Sequence, residues 1–310
     1  MSPIQDKLAA EEECRRTEEE DRWCKIALES LTDAQREKFA ADPLDVLMIV
    51  RGFWGESDRR KAICDAIKMI ADWRDKVGFY KFFDCHIQDD KNFHAWWPEK
   101  MYGHDKWGHF IQGVRAGEVD TDSLMTLSDE ALESLQGQKM SAYQIYKHEW
   151  MMQNGSQRYK HTLCVDLTNM SMNMLRGKKR QVLQKIFHIG STYYPESMWK
   201  IYLVNSPLIF RAIWAIIKPW LHPVTLSKIQ IIGSAKEAIK KMNEEGIPIE
   251  AIPDWMGELV RVDSPASLTC GQEGNTQGCP PTTTSPRSSR GEEDSACCNS
   301  SEPSLIFPFS

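Results

Sequence analysis

The chain has 310 residues, of which 41% are hydrophobic and 26% charged; this balance excludes a wholly disordered or collagen-like polymer and leaves ample length for a buried core. Thirty-eight basic against forty-four acidic side chains give a net charge of −6, so no bulk positive charge is present to neutralise phosphates, which excludes a general nucleic-acid binder. Eleven Trp and fourteen Met imply large apolar surfaces that must be covered.

The start of the chain lacks a basic segment followed by an apolar one, so no secretory signal is expected. Nine Cys, an odd number with no Cys-x-x-Cys pair, fit the reduced thiols of a cytosolic protein. Residues 1–30 read as an acidic, partly helical leader. From Leu31 the pattern is helical. Thr32 and Gln35 have capping-box spacing. Asp42-Pro43 ends one helix and opens another carrying Leu44, Leu47, Met48 and Val50, which Gly52 and Gly55 interrupt. Ser57-Asp58 then opens a longer helix with Ile63, Ile67, Ile70, Ala71 and Trp73 on one face. Residues 31–85 are therefore expected to form a small all-helical lobe.

After residue 100 the character changes. Gly103 to Gly108 reads as a turn and Phe110 to Val114 as a short strand. Ser128 starts a helix running through Leu132 and Leu135 to the Tyr143–Met152 stretch. Thr162 to Leu167 is an apolar run of strand length, followed by a helix from Lys178 to Tyr193. Lys200 to Val204 is a strand, 207–221 an apolar helix, Lys228 to Ile232 a strand, and Ser234 to Asn243 a helix. Strands alternating with helices imply an α/β fold with a mainly parallel sheet and right-handed crossovers. After Val262 the composition turns to Ser, Thr, Pro, Gly and acid, and 264–310 is expected to be a disordered tail.

The stretch from Ile201 to Leu221 is apolar enough to suggest a membrane span. Arg211 and Lys218 near its centre and the Asn205-Ser206-Pro207 break make that costly, and strand, turn and helix is the better parse. His86, His94, His104 and His109 with Cys85 lack metal-ligand spacing, so no metal is expected. Asp120 and Asp122 resemble the start of a calcium loop without its Gly and Glu. No nucleotide-binding loop or nucleophile elbow is present, so neither a cofactor nor an enzymatic activity is expected. Phe93, Trp96, Trp97, Tyr102 and Trp107 are expected in a core or cavity wall. Cys297-Cys298 offers a palmitoylation site, weaker than the reading of an unmodified tail, and Leu305 to Phe307 a short docking motif for which the sequence gives no partner.

The segment 207–221 is apolar almost all round, while Arg211, Ala215 and Lys218 form one basic-small-basic stripe. Burying its large side chains would stabilise by about 1.5–3 kcal/mol each. Such a helix is either a core helix or one that borders an apolar ligand and a membrane at once.

Tyr193-Tyr194-Pro195-Glu196, the strand and turn from Lys200 to Pro207, Lys218-Pro219-Trp220-Leu221, Pro223-Val224-Thr225 and Lys228-Ile229 resemble the CRAL-TRIO lipid-binding family and, within it, the phosphatidylinositol transfer proteins. Gly103 to Gly108 resembles the turn before the family's first sheet strand. Leu163 to Leu167 resembles its strand ending in Asp-Leu. Asp45 to Trp73, with Val50-Arg51 and Asp72-Trp73-Arg74, resembles its preceding helical lobe. The resemblance runs in unbroken order over about residues 40–260.

That resemblance implies a CRAL-TRIO-type domain over 86–263, with a mainly parallel sheet as the floor of an apolar lipid cavity and a mobile gate helix above it. It implies a headgroup site from Glu196, Lys228, Thr225 and Arg51. It also implies a gate and membrane contact from Phe210, Arg211, Ile213, Trp214, Ile217, Lys218 and Trp220. The implied function is that of a cytosolic, monomeric carrier, which is peripheral on membranes and extracts and transfers phosphatidylinositol. Some positions depart from the family. His161 and Leu163 replace hydroxyl residues, Ser197 replaces an Arg after the Glu, Trp199 a Gly, and His222 an Asp, while Gly257-Glu258 stands where the family has paired Gly. His161, Leu163 and Ser197 put phosphatidylcholine in doubt as a second ligand. A carrier of a sterol, tocopherol-like molecule or retinoid, and a lipid-sensing signalling adaptor, are the alternatives.

The net charge changes meaning when divided by segment. Residues 1–30 carry five basic and nine acidic side chains and residues 264–310 two and five, which leaves thirty-one and thirty between them. Within 190–228, Lys200, Arg211, Lys218 and Lys228 face Glu196 alone, so an anionic surface remains an admissible partner.

Overall fold

Helix α1 (Glu18–Glu29) opens on a complete capping box, in which the Thr17 side chain accepts from the Glu20 backbone N–H and the Glu20 carboxylate accepts from that of Thr17. The computed structural model describes residue 13, residues 15–84, residue 87 and residues 90–256. The expectations placed on Cys85, His86, Gly257-Glu258 and the tail, Cys297-Cys298 and Leu305 to Phe307 included, lie outside the described residues.

Helices α2 (Asp33–Ala40), α3 (Pro43–Gly52) and α4 (Arg59–Val77) form at the expected caps: Thr32 with Gln35, Asp42 with Pro43 behind it, and Asp58. Ile63, Ile67, Ile70 and Ala71 are buried, and α1 adds Cys24 and Ala27 to the same core. Helical packing thus begins at Glu18 rather than at residue 31. The leader is acidic on its exposed face, but every third or fourth position, Cys24, Ala27 and Leu28, still supplies an apolar stripe. Arg74 is buried in this lobe, 2.5 Å from Asp45 and between the rings of Phe39 and Phe79.

After α5 (Asp90–Trp96) come β1 (Glu99–His104) and β2 (Phe110–Arg115), then α6 (Thr121–Leu124) and α7 (Asp129–Asn154). Next are β3 (His161–Asp166), α8 (Gly177–Tyr193), β4 (Met198–Val204), α9 (Phe210–Ile217), α10 (Pro223–Ser227), β5 (Ile229–Ile232) and α11 (Ala235–Glu244). The five strands lie in the order β1-β2-β3-β4-β5. β1 is antiparallel to β2, and the remaining pairs are parallel. The mixed α/β fold and mainly parallel sheet match the sequence reading. β1 is new, because Glu-Lys-Met-Tyr-Gly-His has no alternating apolar pattern and earns its place by pairing with β2.

The strands obey the two-residue period. Leu163, Val165, Ile201 and Leu203 pack with apolar side chains of α7, α8 and α9. Ile111, Cys164, Tyr202, Val204 and Ile232 face the other way, onto α11 and the segment from Ile247 to Met256. The expected helix over 207–221 is divided. Phe210–Ile217 is α-helical, Lys218–Trp220 is a 3₁₀ turn, and Pro219, which has no N–H to donate, marks the change. Among the described residues, no helix is long and apolar enough to cross a membrane.

Candidate functional site

A cavity of about 570 Å³ lies over the sheet. Leu163 and Ile201 line its floor, Ile186 and Phe187 of α8 one wall, Gly52 and Phe53 the end of the helical lobe, and residues 219–225 its rim. Three of the four expected headgroup residues, Glu196, Thr225 and Lys228, line it together.

Glu196 sits between the end of α8 and the start of β4 with a backbone φ of 55°. This left-handed conformation costs an L-residue about 1–2 kcal/mol and is a feature that clusters at functional sites. Its carboxylate is 2.8 Å from Lys160 Nζ and 3.4 Å from Lys228 Nζ. Burial pushes this carboxyl up, but the two ammonium groups hold it below its ordinary value. Burial also pushes the Lys228 ammonium down, against the pull of Glu196. Both ammonium groups face the Glu196 carboxylate beside the cavity, and the Glu13 carboxylate attracts them as well. The long 3.4 Å contact also leaves Lys228 with donors for an anion.

Lys160 was not singled out from the sequence, being 36 residues from Glu196 and in no motif. Its signal lies in the topology: His161 opposes Met198 across the parallel β3–β4 pair, so the residues just before each strand are neighbours.

Arg51 does not join this group. Its guanidinium pairs with Glu20 at 2.7 Å and donates to the Arg15 carbonyl at 2.8 Å, the Tyr159 hydroxyl at 3.1 Å and the Glu13 carbonyl. It fastens the leader to the lobe, and it is the adjacent Gly52 that reaches the cavity.

Of the seven expected gate residues, Phe210, Ile213 and Ile217 are buried in the core, and Trp214 and Trp220 are half-buried. Arg211 and Lys218 are exposed, with Ala215 between them, as the stripe requires. Trp220 also lines the cavity. Leu208 and Ile209, which the sequence reading placed in the helix, lie ahead of its first residue, Phe210, and are exposed large apolar side chains.

The departing positions have specific roles. Leu163 faces the cavity, while His161 is buried and stacked on Phe110 at 4.6 Å. The Ser197 hydroxyl donates to the Tyr194 carbonyl at 2.7 Å. Trp199 stacks on His109 at 4.8 Å, and His222 caps α10 by accepting from the Val224 N–H. Asp120 caps α6 and Asp122 pairs with Lys179 at 2.6 Å, so both aspartates are used structurally.

The family model described as the CRAL/TRIO domain matches residues 97–257, just over half of the chain. The chain belongs to the CRAL/TRIO family. Among curated relatives, the SEC14 cytosolic factor of Eremothecium gossypii is 28% identical over 187 residues, covering 57% of this chain and 59% of that protein. The phosphatidylinositol/phosphatidylcholine transfer protein SFH7 of Arabidopsis thaliana is 26% identical over 192 residues, covering 59% of this chain and 31% of that protein. This chain therefore covers less than two thirds of the length of either CRAL/TRIO relative. The solved structure of Sfh5 superposes with a TM-score of 0.47 at 13% identity, covering 63% of this chain and 65% of that one.

Proposed function

We propose that this CRAL/TRIO protein is a lipid carrier that takes phosphatidylinositol from one membrane and releases or presents it at another. The observation that carries this reading is the Lys160–Glu196–Lys228 group, which adjoins a cavity whose floor and walls are mainly apolar. A phospholipid needs a dry space for its chains and a few polar groups for its head. Lys228 supplies the charge for the phosphate, and Glu196 and Thr225 accept from inositol hydroxyls. A relative named for phosphatidylinositol and phosphatidylcholine transfer supports the same reading.

In this scheme α9 and the 3₁₀ turn after it move as a gate. Their buried face, Phe210, Ile213 and Ile217, holds the closed state. Leu208 and Ile209, exposed beside Arg211 and Lys218, meet the bilayer, with the two basic residues adding about 1 kcal/mol each at an anionic surface. The protein works as a cytosolic monomer that visits membranes transiently and performs no chemistry on its ligand. The test is Lys228→Ala: phosphatidylinositol transfer between vesicles is lost while the circular dichroism spectrum and melting temperature stay near wild type. Unchanged transfer overturns the headgroup assignment.

A further inference from the structure

The leader sends one acidic side chain into the protein behind the headgroup group. Glu13 is only 4% exposed, although a carboxylate is almost never buried unless it is paired. Its Oε2 accepts from the backbone N–H of Tyr159 at 2.8 Å and from that of Lys160 at 3.2 Å, and it stands 3.3 Å from Nε2 of the buried His109. Asp105 holds the other ring nitrogen of His109 at 2.8 Å. Arg51 donates to the Glu13 and Arg15 carbonyls and to the Tyr159 hydroxyl, so one guanidinium grips both sides of the same contact. These bonds join residues 146 positions apart in the chain.

The backbone they hold is the approach to β3. Tyr159 and Lys160 stand just before its first residue, His161. Hydrogen bonds from N–H groups to an ionised carboxylate are roughly twice as strong as neutral ones, and two of them on one oxygen leave this backbone little freedom. From it the Lys160 side chain reaches Glu196 at 2.8 Å. Glu13 is not among the residues that line the cavity, so it acts on the site through Lys160.

We infer that Glu13 is a positioning residue of the headgroup site: by pinning the Tyr159–Lys160 backbone it keeps the Lys160 ammonium on Glu196, and Glu196 ionised to accept from an inositol hydroxyl. The inference rests on the reading of the Lys160–Glu196–Lys228 group as the headgroup site. Charge and position make opposite predictions here. The charged groups in contact with Glu196 are Lys160 and Lys228, and Glu13 attracts both ammonium groups. As a like charge, Glu13 opposes ionisation of Glu196, so removing its charge alone eases that ionisation. As a pin it keeps Lys160 in place, so removing the pin hinders it.

The test measures phosphatidylinositol taken by the full chain from phosphatidylcholine vesicles that contain it, by lipid extraction and mass spectrometry, in a series from about pH 7 down to about pH 4. Glu13→Ala is expected to move the acid midpoint of loading up by about one pH unit, as Lys160→Met does, because one of two cations leaves Glu196. Glu13→Asp keeps the charge but is one methylene too short to hold both N–H groups; it shares the upward shift and serves where the alanine variant does not fold. Glu13→Gln keeps an oxygen for both N–H groups without the charge, and its midpoint is not raised. Glu13→Ala combined with Lys160→Met matches Lys160→Met alone, since no ammonium remains to be positioned. A lower melting temperature with an unmoved midpoint in the alanine and aspartate variants is the signature of a purely structural contact and overturns the inference. So does a raised midpoint in Glu13→Gln, or a further rise in the double variant; each of these outcomes leaves the carrier reading standing. A wild-type chain that takes up no phosphatidylinositol overturns both.

Discussion

Gly52 leaves no room for a side chain against Pro195: a Cβ at that position would stand 2.6 Å from the Pro195 Cβ. The end of α3 is therefore pressed directly onto the residue before Glu196, and the helical lobe sets the position of the charged group at the cavity. Gly52→Ala is expected to push Pro195 and Glu196 out of place, costing about 1–3 kcal/mol as an overpacking change. Phosphatidylinositol loading should fall several-fold. Thermal melting and lipid extraction on the same sample check both effects, and a variant that melts lower but loads normally would separate stability from positioning.

Lys160 makes the shorter of the two contacts to Glu196, 2.8 Å against 3.4 Å. Lys160→Met removes the stronger support for a carboxylate that burial alone would push up. A carboxyl held below its ordinary value stabilises the fold above the unfolded pKa, about 4.3, and that contribution is lost as pH falls through the lower folded value. In Lys160→Met the folded value rises, so acid loss of phosphatidylinositol loading should move to higher pH. Loading measured in a series from about pH 7 down to about pH 4, which brackets the ordinary carboxylate value, shows the shift, and coincident wild-type and variant curves would refute it.

The helical lobe and β2 to β5 were legible in the sequence because their signals are local. Thr32, Asp42, Asp58 and Ser128 sit at helix starts, and Phe110 to Val114 and Lys200 to Val204 are short apolar runs. β1 was not legible, since its residues acquire extended structure only by pairing with β2. Glu196, Thr225 and Lys228 could be named from sequence because they fall within 33 residues in recognisable motifs. Lys160 depends on strand register, which a linear pattern does not contain. Arg51 shows the converse: a motif residue whose guanidinium is taken by Glu20 and by leader carbonyls, contacts that the acidic, weakly patterned leader gave no reason to expect.

Asp45 and Arg74 form the most deeply buried ion pair of the helical lobe, with side chains 10% and 3% exposed. Removing one partner leaves the other charge unpaired in the core. Asp45→Ala is expected to lose about 3–5 kcal/mol of stability, because the Arg74 guanidinium cannot deprotonate to relieve itself. Replacing both residues with apolar ones of similar volume should restore much of that loss. Urea denaturation of the single and double variants measures the difference, and equal destabilisation by both would contradict the unpaired-charge account.

His104 gives the fold an acid-sensitive element. Its ring stacks on Trp150 at 3.9 Å and on Tyr146 at 5.9 Å. Burial pushes its pKa down to about 4, against the pull of Asp105. In the unfolded chain the same imidazole titrates near about 6.5. Between these two values the unfolded state binds the proton and the folded state does not, so stability falls as pH drops through that window. Buried His161 has the same sign, its pKa also lowered by burial. His109 has the opposite sign: although burial opposes its charge, Asp105 at 2.8 Å and Glu13 at 3.3 Å raise its pKa. Its contribution is therefore present below about 6.5 and lost as pH rises through the higher folded value. His104→Phe keeps the ring stack and removes the titrating group. The melting temperature of this variant should fall less steeply than that of wild type between about pH 6.5 and pH 4, with little difference above pH 7 (about where both forms of His104 are neutral). Parallel slopes for the two proteins would show that the acid sensitivity resides elsewhere.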